Sequence, residues 1–358
     1  MTLEKPVARL SILKRYSFKG NLMALKDVIG QEKAIGILFG TLSQNRTPSA
    51  YLFAGESGIG KKFTAVNLAK ALNCQKAAPQ PLTPNSRDAC DECPSCKKID
   101  AQTHPDLLML TPEKGEIRIE EIRAIEEALS FTPYEGKRKI VIVDDAEAMN
   151  VSSANAFLKT LEEPPPQSII ILISASPDRL PETIRSRCSR INFSPLSPEK
   201  CEEVIRTAIS QQPVVSSQDK ERLSTVARLS MGRPGLAISN DLIEERDWFI
   251  RLFREMISGS NKEGWTDKEE IETWFNIAFT ILRDIAVLKI TGRGDMLINT
   301  DLRDKISNLS KTLEIKDIIE SYFKISFLRG YLGFNLNKSI TWNYVSTILQ
   351  KSKFKIQN

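Results

Sequence analysis

The octapeptide Gly55-Glu56-Ser57-Gly58-Ile59-Gly60-Lys61-Lys62 has the spacing of a phosphate-binding loop, with one residue out of place. In such a loop the glycines let backbone N–H groups surround the phosphates and the lysine, here Lys61, reaches the β and γ phosphates. The hydroxyl of a following Ser or Thr then holds Mg²⁺. Here that following residue is Lys62, whose ammonium has three donors and no acceptor. It repels the cation that must neutralise the charge developed in phosphoryl transfer. The spacing therefore predicts a nucleotide-site fold that has lost the reaction. A glycine-rich octamer can also be a plain turn before a helix, but the flanks argue against that. Ala50 to Ala54 is a short apolar run suited to a buried strand, and Phe63 to Leu72 carries Val66, Ala69 and Leu72 at helical spacing.

Asp144, at the end of the aliphatic run Lys139 to Val143, matches the acidic position that faces Mg²⁺ across a phosphate loop. A hydrolysing site normally has Glu next, long enough to orient the attacking water. Asp145 is one methylene shorter. Alternatively, Asp144 and Asp145 simply cap the turn at Ala146 to Met149. Arg187, in Ser186-Arg187-Cys188, follows the strand-like run Ile169 to Ile173 and the loop Pro177 to Pro181. A guanidinium at such an edge can reach a neighbouring subunit's γ-phosphate, where fingers of this kind contribute ~10³ to 10⁵ in rate. A structural ion pair is its other reading. His104 is the only histidine, so any nucleophilic relay would rest on it alone. Its place in His104-Pro105-Asp106, just before a strand, suits a structural hydrogen bond better. The acidic residues from Glu116 to Glu127 mostly form the solvated face of a helix.

Four of the six cysteines, Cys74, Cys90, Cys93 and Cys96, form a second constellation. Four thiolates complete a tetrahedral zinc site with no open position for water, which gives a structural centre that staples an insertion. An iron–sulfur cluster and unligated cysteines are the rival readings; the fourth cysteine of a ferredoxin-like run is absent. Cys188 and Cys201 stand apart and read as ordinary small residues.

The elements that must position these residues are legible as periodicity. Lys139 to Val143 and Ile169 to Ile173 are apolar on both faces, as parallel strands covered by helices are. Ser152 to Glu163 reads as a helix stopped by Pro164-Pro165-Pro166, and Glu116 to Ser130 as an amphipathic helix. Beyond Ser197 the strand signal fades. Helices are expected at Pro198 to Ser210, Lys220 to Ser230, Trp248 to Ile257, Trp274 to Leu288, Ile318 to Leu332 and Ile340 to Leu349, with the Trp and Phe residues beyond about Asn240 as core anchors. At 358 residues two or three domains are expected. A net charge of +5 is far from that of a dedicated nucleic-acid coat. The N-terminal residues have no continuous apolar region of a signal peptide, and a soluble cytoplasmic protein is expected.

Taken together, these residues resemble the AAA+ clamp-loader family of bacterial DNA polymerase III. The resemblance spans nearly the whole chain. It is carried by Val28-Ile29-Gly30-Gln31-Glu32, the phosphate loop, the four cysteines, Leu129 to Gly136, Ala154 to Pro165 and Ser186-Arg187-Cys188. It implies an α/β fold: a RecA-like AAA+ domain at 21–195 with a zinc-binding insertion at 74–96, after an N-terminal extension at 1–20. A small helical lid at 196–240 and an all-helical collar at 241–358 for oligomerisation follow. Such chains form a five-subunit ring that opens a sliding clamp and loads it on primer-template DNA. Three departures separate this chain from the ATP-hydrolysing, gamma/tau-type motor: Lys62, Asp145, and Gly235 where the motor's lid has its nucleotide-sensing arginine. The resemblance implies a non-hydrolysing stator within the DNA polymerase III holoenzyme, with structural Zn²⁺ and no Mg²⁺ site. Its partners would be motor and delta-type subunits, the clamp and DNA, and Arg187 would serve as a trans arginine finger. Arg233, two positions before Gly235, leaves ATP binding open. An autonomous AAA+ ATPase, either a motor-type loader subunit or a helicase-like remodeller, is the alternative that the intact glycines and Lys61 support. A zinc-dependent nucleic-acid module is a third, opposed by the modest charge.

Overall fold

Aliphatic runs with no polar face become the strands of one parallel sheet. In this computed structural model, which describes residues 24–76, 88–113, 115–209, 217–258, 265, 267–331 and 337–351, the strands are β1 (Ala50–Ala54), β2 (Leu107–Leu110), β3 (Lys139–Val143), β4 (Ser168–Ser174) and β5 (Ser189–Asn192). Their order is β2-β3-β4-β1-β5, all parallel. Tyr51 to Ala54 lies between Ile171 to Ser174 on one side and Ser189 to Asn192 on the other. Every residue of β1, β3 and β4 is buried, because helices cover both faces. At roughly 1.5–3 kcal/mol per buried aliphatic side chain, Ile169 to Ile173 alone contributes on the order of 10 kcal/mol of burial.

One face is covered by α1 (Glu32–Ser43) and α2 (Lys61–Asn73), whose Leu38, Phe39, Ala65 and Leu68 pack with Tyr51, Phe53 and Ile171. The other is covered by α4 (Ile119–Leu129) and α5 (Val151–Glu162) through Ile122, Ile125, Phe157 and Leu161. Between α2 and β2 lies the short α3 (Pro94–Asp100), and α6 (Glu182–Arg185) precedes β5. The helix α2 is buried almost all round, including Lys61, Asn67 and Lys70, rather than along the single Val66, Ala69 and Leu72 stripe that periodicity suggests. The expected N-terminal extension at 1–20 lies outside the described residues, as do residues 77–87 of the insertion.

The chain divides into two compact units, Met1–Ser210 with Gly232–Gly235, and Gln211–Met231 with Leu236–Asn358. The first contains the sheet and α7 (Pro198–Ile209). The second is helical, with α8 (Ser217–Leu229), α10 (Leu242–Ser258), α11 (Lys268–Thr291), α12 (Arg303–Thr312), α13 (Ile315–Gly330) and α14 (Lys338–Lys351); α9 (Pro234–Ser239) crosses the division. Its core joins Phe249, Trp265, Trp274, Phe275 and Trp342, so the tryptophans at 265, 274 and 342 are core anchors, as expected. Two phenylalanines are not. Phe323 and Phe327 on α13 are 67% and 65% exposed, because the buried stripe of that helix is Ile318, Ser321 and Ile325. No helix among the described residues is long and apolar enough to cross a membrane.

Candidate functional site: a phosphate loop and a four-cysteine centre

The loop between β1 and α2 adopts the backbone that its glycines permit. Gly55 sits at φ +149°, where a Cβ would lie 2.5 Å from the Phe193 carbonyl oxygen and 2.7 Å from Ile59 Cδ1. Only glycine fits between strand end and loop. Gln31 clamps the loop from beneath: its Nε2 donates to the Ile59 and Ser194 carbonyls at 3.2 and 2.8 Å, while its Oε1 accepts from Ser194 N at 3.2 Å. Lys61 is buried and donates to the carbonyl oxygens of Gly55 at 2.5 Å and Glu56 at 2.6 Å. Burial lowers its pKa, against the pull of Asp144, Glu147, Asp145 and Glu56.

Lys62 Nζ stands 2.9 Å from Asp144 Oδ2, so the lysine that departs from the motif forms an ion pair with the carboxylate that keeps to it. Asp145 follows in the left-handed region at φ +47° and makes no side-chain cap to the turn Ala146–Ala148. Capping by that side chain is therefore not what holds the turn. Burial and the neighbouring carboxylates Asp144 and Glu147 push the Asp145 carboxyl up. Glu147 closes the strand ends together, its Oε1 accepting from the N–H groups of Ala175 and Ser176 at 2.9 and 3.0 Å. Gly235 N donates to Gly58 O at 2.8 Å, and a Cβ there would lie 2.9 Å from that oxygen. Arg233 Nη1 is 3.7 Å from Glu56 Oε2.

Arg187 lies on the turn after α6. Its Nη2 is 2.5 Å from Glu162 Oε1 and its Nη1 donates to Thr183 O at 2.8 Å, with about a third of the side chain exposed. Cys188 beside it packs on the core, and burial pushes its thiol up to about 12.

The four cysteines come together. Their sulfurs lie within 4.8 Å of one another, buried except for the half-buried Cys90. Tetrahedral zinc with bonds of about 2.3 Å needs sulfurs roughly 3.8 Å apart, so a small contraction suffices for one ion. Cys74 caps the C-terminus of α2, and Cys93 caps the N-terminus of α3. Backbone N–H groups point at the sulfurs, as they do around metal thiolates: Cys93 N to Cys90 Sγ at 3.4 Å, and Cys96 N to Cys93 Sγ at 3.5 Å. Burial raises the Cys93 thiol, but N–H donors from Cys96 and Gln75 outweigh it and bring it down to about 6. These residues are positioned to bind a metal ion and are compatible with structural zinc.

Three side chains to which sequence reasoning assigned no contact of their own hold this assembly. Gln31 is one; its partners Ile59 and Ser194 are far away in sequence. Lys70, fully buried, pairs with Asp91 and with Asp100, the latter at 2.9 Å. Asp106 accepts from the N–H groups of Tyr134, Glu135 and Gly136 at 2.6, 2.9 and 2.7 Å. Its neighbour His104 is buried, with Ser95 Oγ at 3.2 Å and Asp106 N donating to its Nδ1 at 3.1 Å. The histidine is structural.

Comparison with known proteins places this arrangement. Residues 30–197 match the family described as DNA polymerase III, delta subunit. DNA polymerase III subunit delta' of Bacillus subtilis is 27% identical over 90% of this chain and 96% of its own length. The delta' subunit of Pseudomonas aeruginosa is 40% identical over 46% of this chain and 48% of its own. The tau subunit of Bacillus subtilis is 37% identical over 47% of this chain and 28% of its own. The likeness to the Bacillus subtilis tau subunit covers under half of this chain, whereas the likeness to the delta' subunit of the same organism covers nine tenths of it. The chain is thus similar to clamp-loader subunits of bacterial DNA polymerase III, and the family match and the delta' relatives together support the delta-prime subunit.

Proposed function

We propose that this clamp-loader subunit is a non-hydrolysing stator, helping to load the sliding clamp onto primer-template DNA beside gamma/tau-type and delta-type subunits. The observation that carries the reading is the Lys62–Asp144 ion pair at 2.9 Å. An ammonium already neutralises the carboxylate that would face Mg²⁺, and it stands where the metal's hydroxyl ligand belongs. A hard divalent ion needs oxygens in near-ideal octahedral array, so Mg²⁺ does not fit this set. Gly235 supports the same reading, since the position of the motor's sensing arginine here abuts Gly58 and admits no side chain. With Lys61 donating to Gly55 and Glu56, the loop is satisfied from within.

The trans finger is the second part of the proposal. Arg187 is partly exposed and its pair with Glu162 lies at the surface, where such pairs contribute about 0–1 kcal/mol. A neighbouring triphosphate could therefore draw the guanidinium away at small cost. The ion pair also favours a purely structural Arg187, so the test must separate the two. Arg187→Ala is expected to keep the melting temperature while lowering the DNA-stimulated ATPase of a reconstituted loader at least tenfold. Unchanged ATPase would leave only the structural role. The isolated chain should show no turnover; a rate of ~1 s⁻¹ or faster would sink the stator reading and favour the autonomous ATPase.

The metal is proposed to be zinc, held by Cys74, Cys90, Cys93 and Cys96 as a closed structural centre. Four sulfurs this close suit a single ion better than a cluster, whose irons would spread them.

A further inference from the structure

We infer that Lys70 is a positioning residue of the metal centre, holding the cysteine turn on the phosphate-loop helix and so slowing metal loss. The inference rests on the zinc reading of the four cysteines. Lys70 lies in the last turn of α2 and Cys74, four residues on, is the C-cap residue of that helix, so both stand at its C-terminal end. From this end the helix gives the centre a sulfur and, beside it, a fully buried ammonium. The ammonium touches both flanks of the remaining ligands. Asp91 follows Cys90 directly, and Asp100 ends the helix that carries Cys96.

Asp91 shows what the contact does. It sits in the left-handed region at φ +58°, a conformation unusual for a residue with a side chain. The carboxylate on Lys70 fixes that conformation. Charge argues the same way: a divalent ion with four thiolates is a dianion, and Asp91 and Asp100 add two more negative charges next to it. Lys70 is the cation buried among them. Without it the carboxylates repel each other and the thiolates, and the turn between Cys90 and Cys93 opens.

The test uses the full chain, first assayed for metal and then mixed with excess chromogenic chelator to time zinc release. Lys70→Met is expected to release zinc about tenfold faster or more, the range typical of lost outer-shell support. Lys70→Arg should restore slow release. Lys76→Met, which removes an exposed pair with Glu92 in the same module, should leave the rate unchanged. In the cobalt-substituted protein Lys70→Met should also shift the sulfur-to-metal charge-transfer band, which a remote packing defect would not move. Should Lys70→Met fail to fold, Asp91→Asn reads the same contact from the other side and should again speed release. Wild-type release and an unshifted cobalt band in the folded variant would overturn the assignment of Lys70 alone. A wild-type chain without metal would overturn the cysteine centre, and this inference with it.

Discussion

On the stator reading, Lys62 and Asp144 sit where a working phosphate loop places a hydroxyl and a metal-facing carboxylate, and the two pair with each other. Lys62→Thr removes the ammonium but leaves Asp145 and Gly235, so phosphate release by the isolated variant should stay at background. A turnover near that of an ordinary motor would show that one residue silences the site. A second residue-scale expectation concerns Asp106. Burial pushes its carboxyl up, but N–H groups of Tyr134, Glu135 and Gly136 outweigh it and hold the pKa below the usual value. A depressed carboxyl stabilises the fold at pH above its unfolded value near 3.9, and that contribution is lost as pH falls through the folded value. Asp106→Asn should therefore cost about 3 kcal/mol near pH 7, from weakened bonds to a charged acceptor, with the gap to wild type narrowing below about pH 4. Urea unfolding across pH measures it; a gap that is constant with pH would contradict the charge argument.

Among the elements, those with a strong period were legible and those without one were not. β1, β3 and β4 fall within a residue of the aliphatic runs that announce them. β5 was missed because its sequence Ser-Arg-Ile-Asn has a single apolar residue, Ile191, and becomes a strand only through pairing with β1. α12 escaped for a similar reason, with only Ile306, Leu309 and Ser310 buried in a polar decapeptide. The phosphate loop and the cysteines were readable because their chemistry demands fixed local spacing. Gln31, Lys70 and Asp106 were not, since each finds its partners across dozens of residues. A test at this scale is Gly235→Ala. Its new Cβ would meet Gly58 O at 2.9 Å and Gly58 Cα at 3.0 Å, backbone atoms that cannot turn aside. A loss of about 1–3 kcal/mol is expected from overpacking, read as a lowered melting temperature. An unchanged melt would mean that the loop yields there.

At the scale of the molecule, α13 carries an uncovered apolar face of Ile319, Tyr322, Phe323, Phe327 and Tyr331. Contiguous exposed aromatics of this kind mark contact surfaces, and on the proposed reading they belong to the collar. Phe323→Ser with Phe327→Ser should change the stability of the isolated chain by less than about 0.5 kcal/mol, as exposed substitutions do. The same pair should abolish co-purification with gamma/tau-type and delta-type subunits, and full recovery of the assembly would place the collar contact elsewhere. The ion pair at the phosphate loop reaches furthest. A counter-ion tethered by covalent bonds can neither diffuse off nor be exchanged, so under the stator reading this loop stays neutralised whatever the cell's supply of free magnesium.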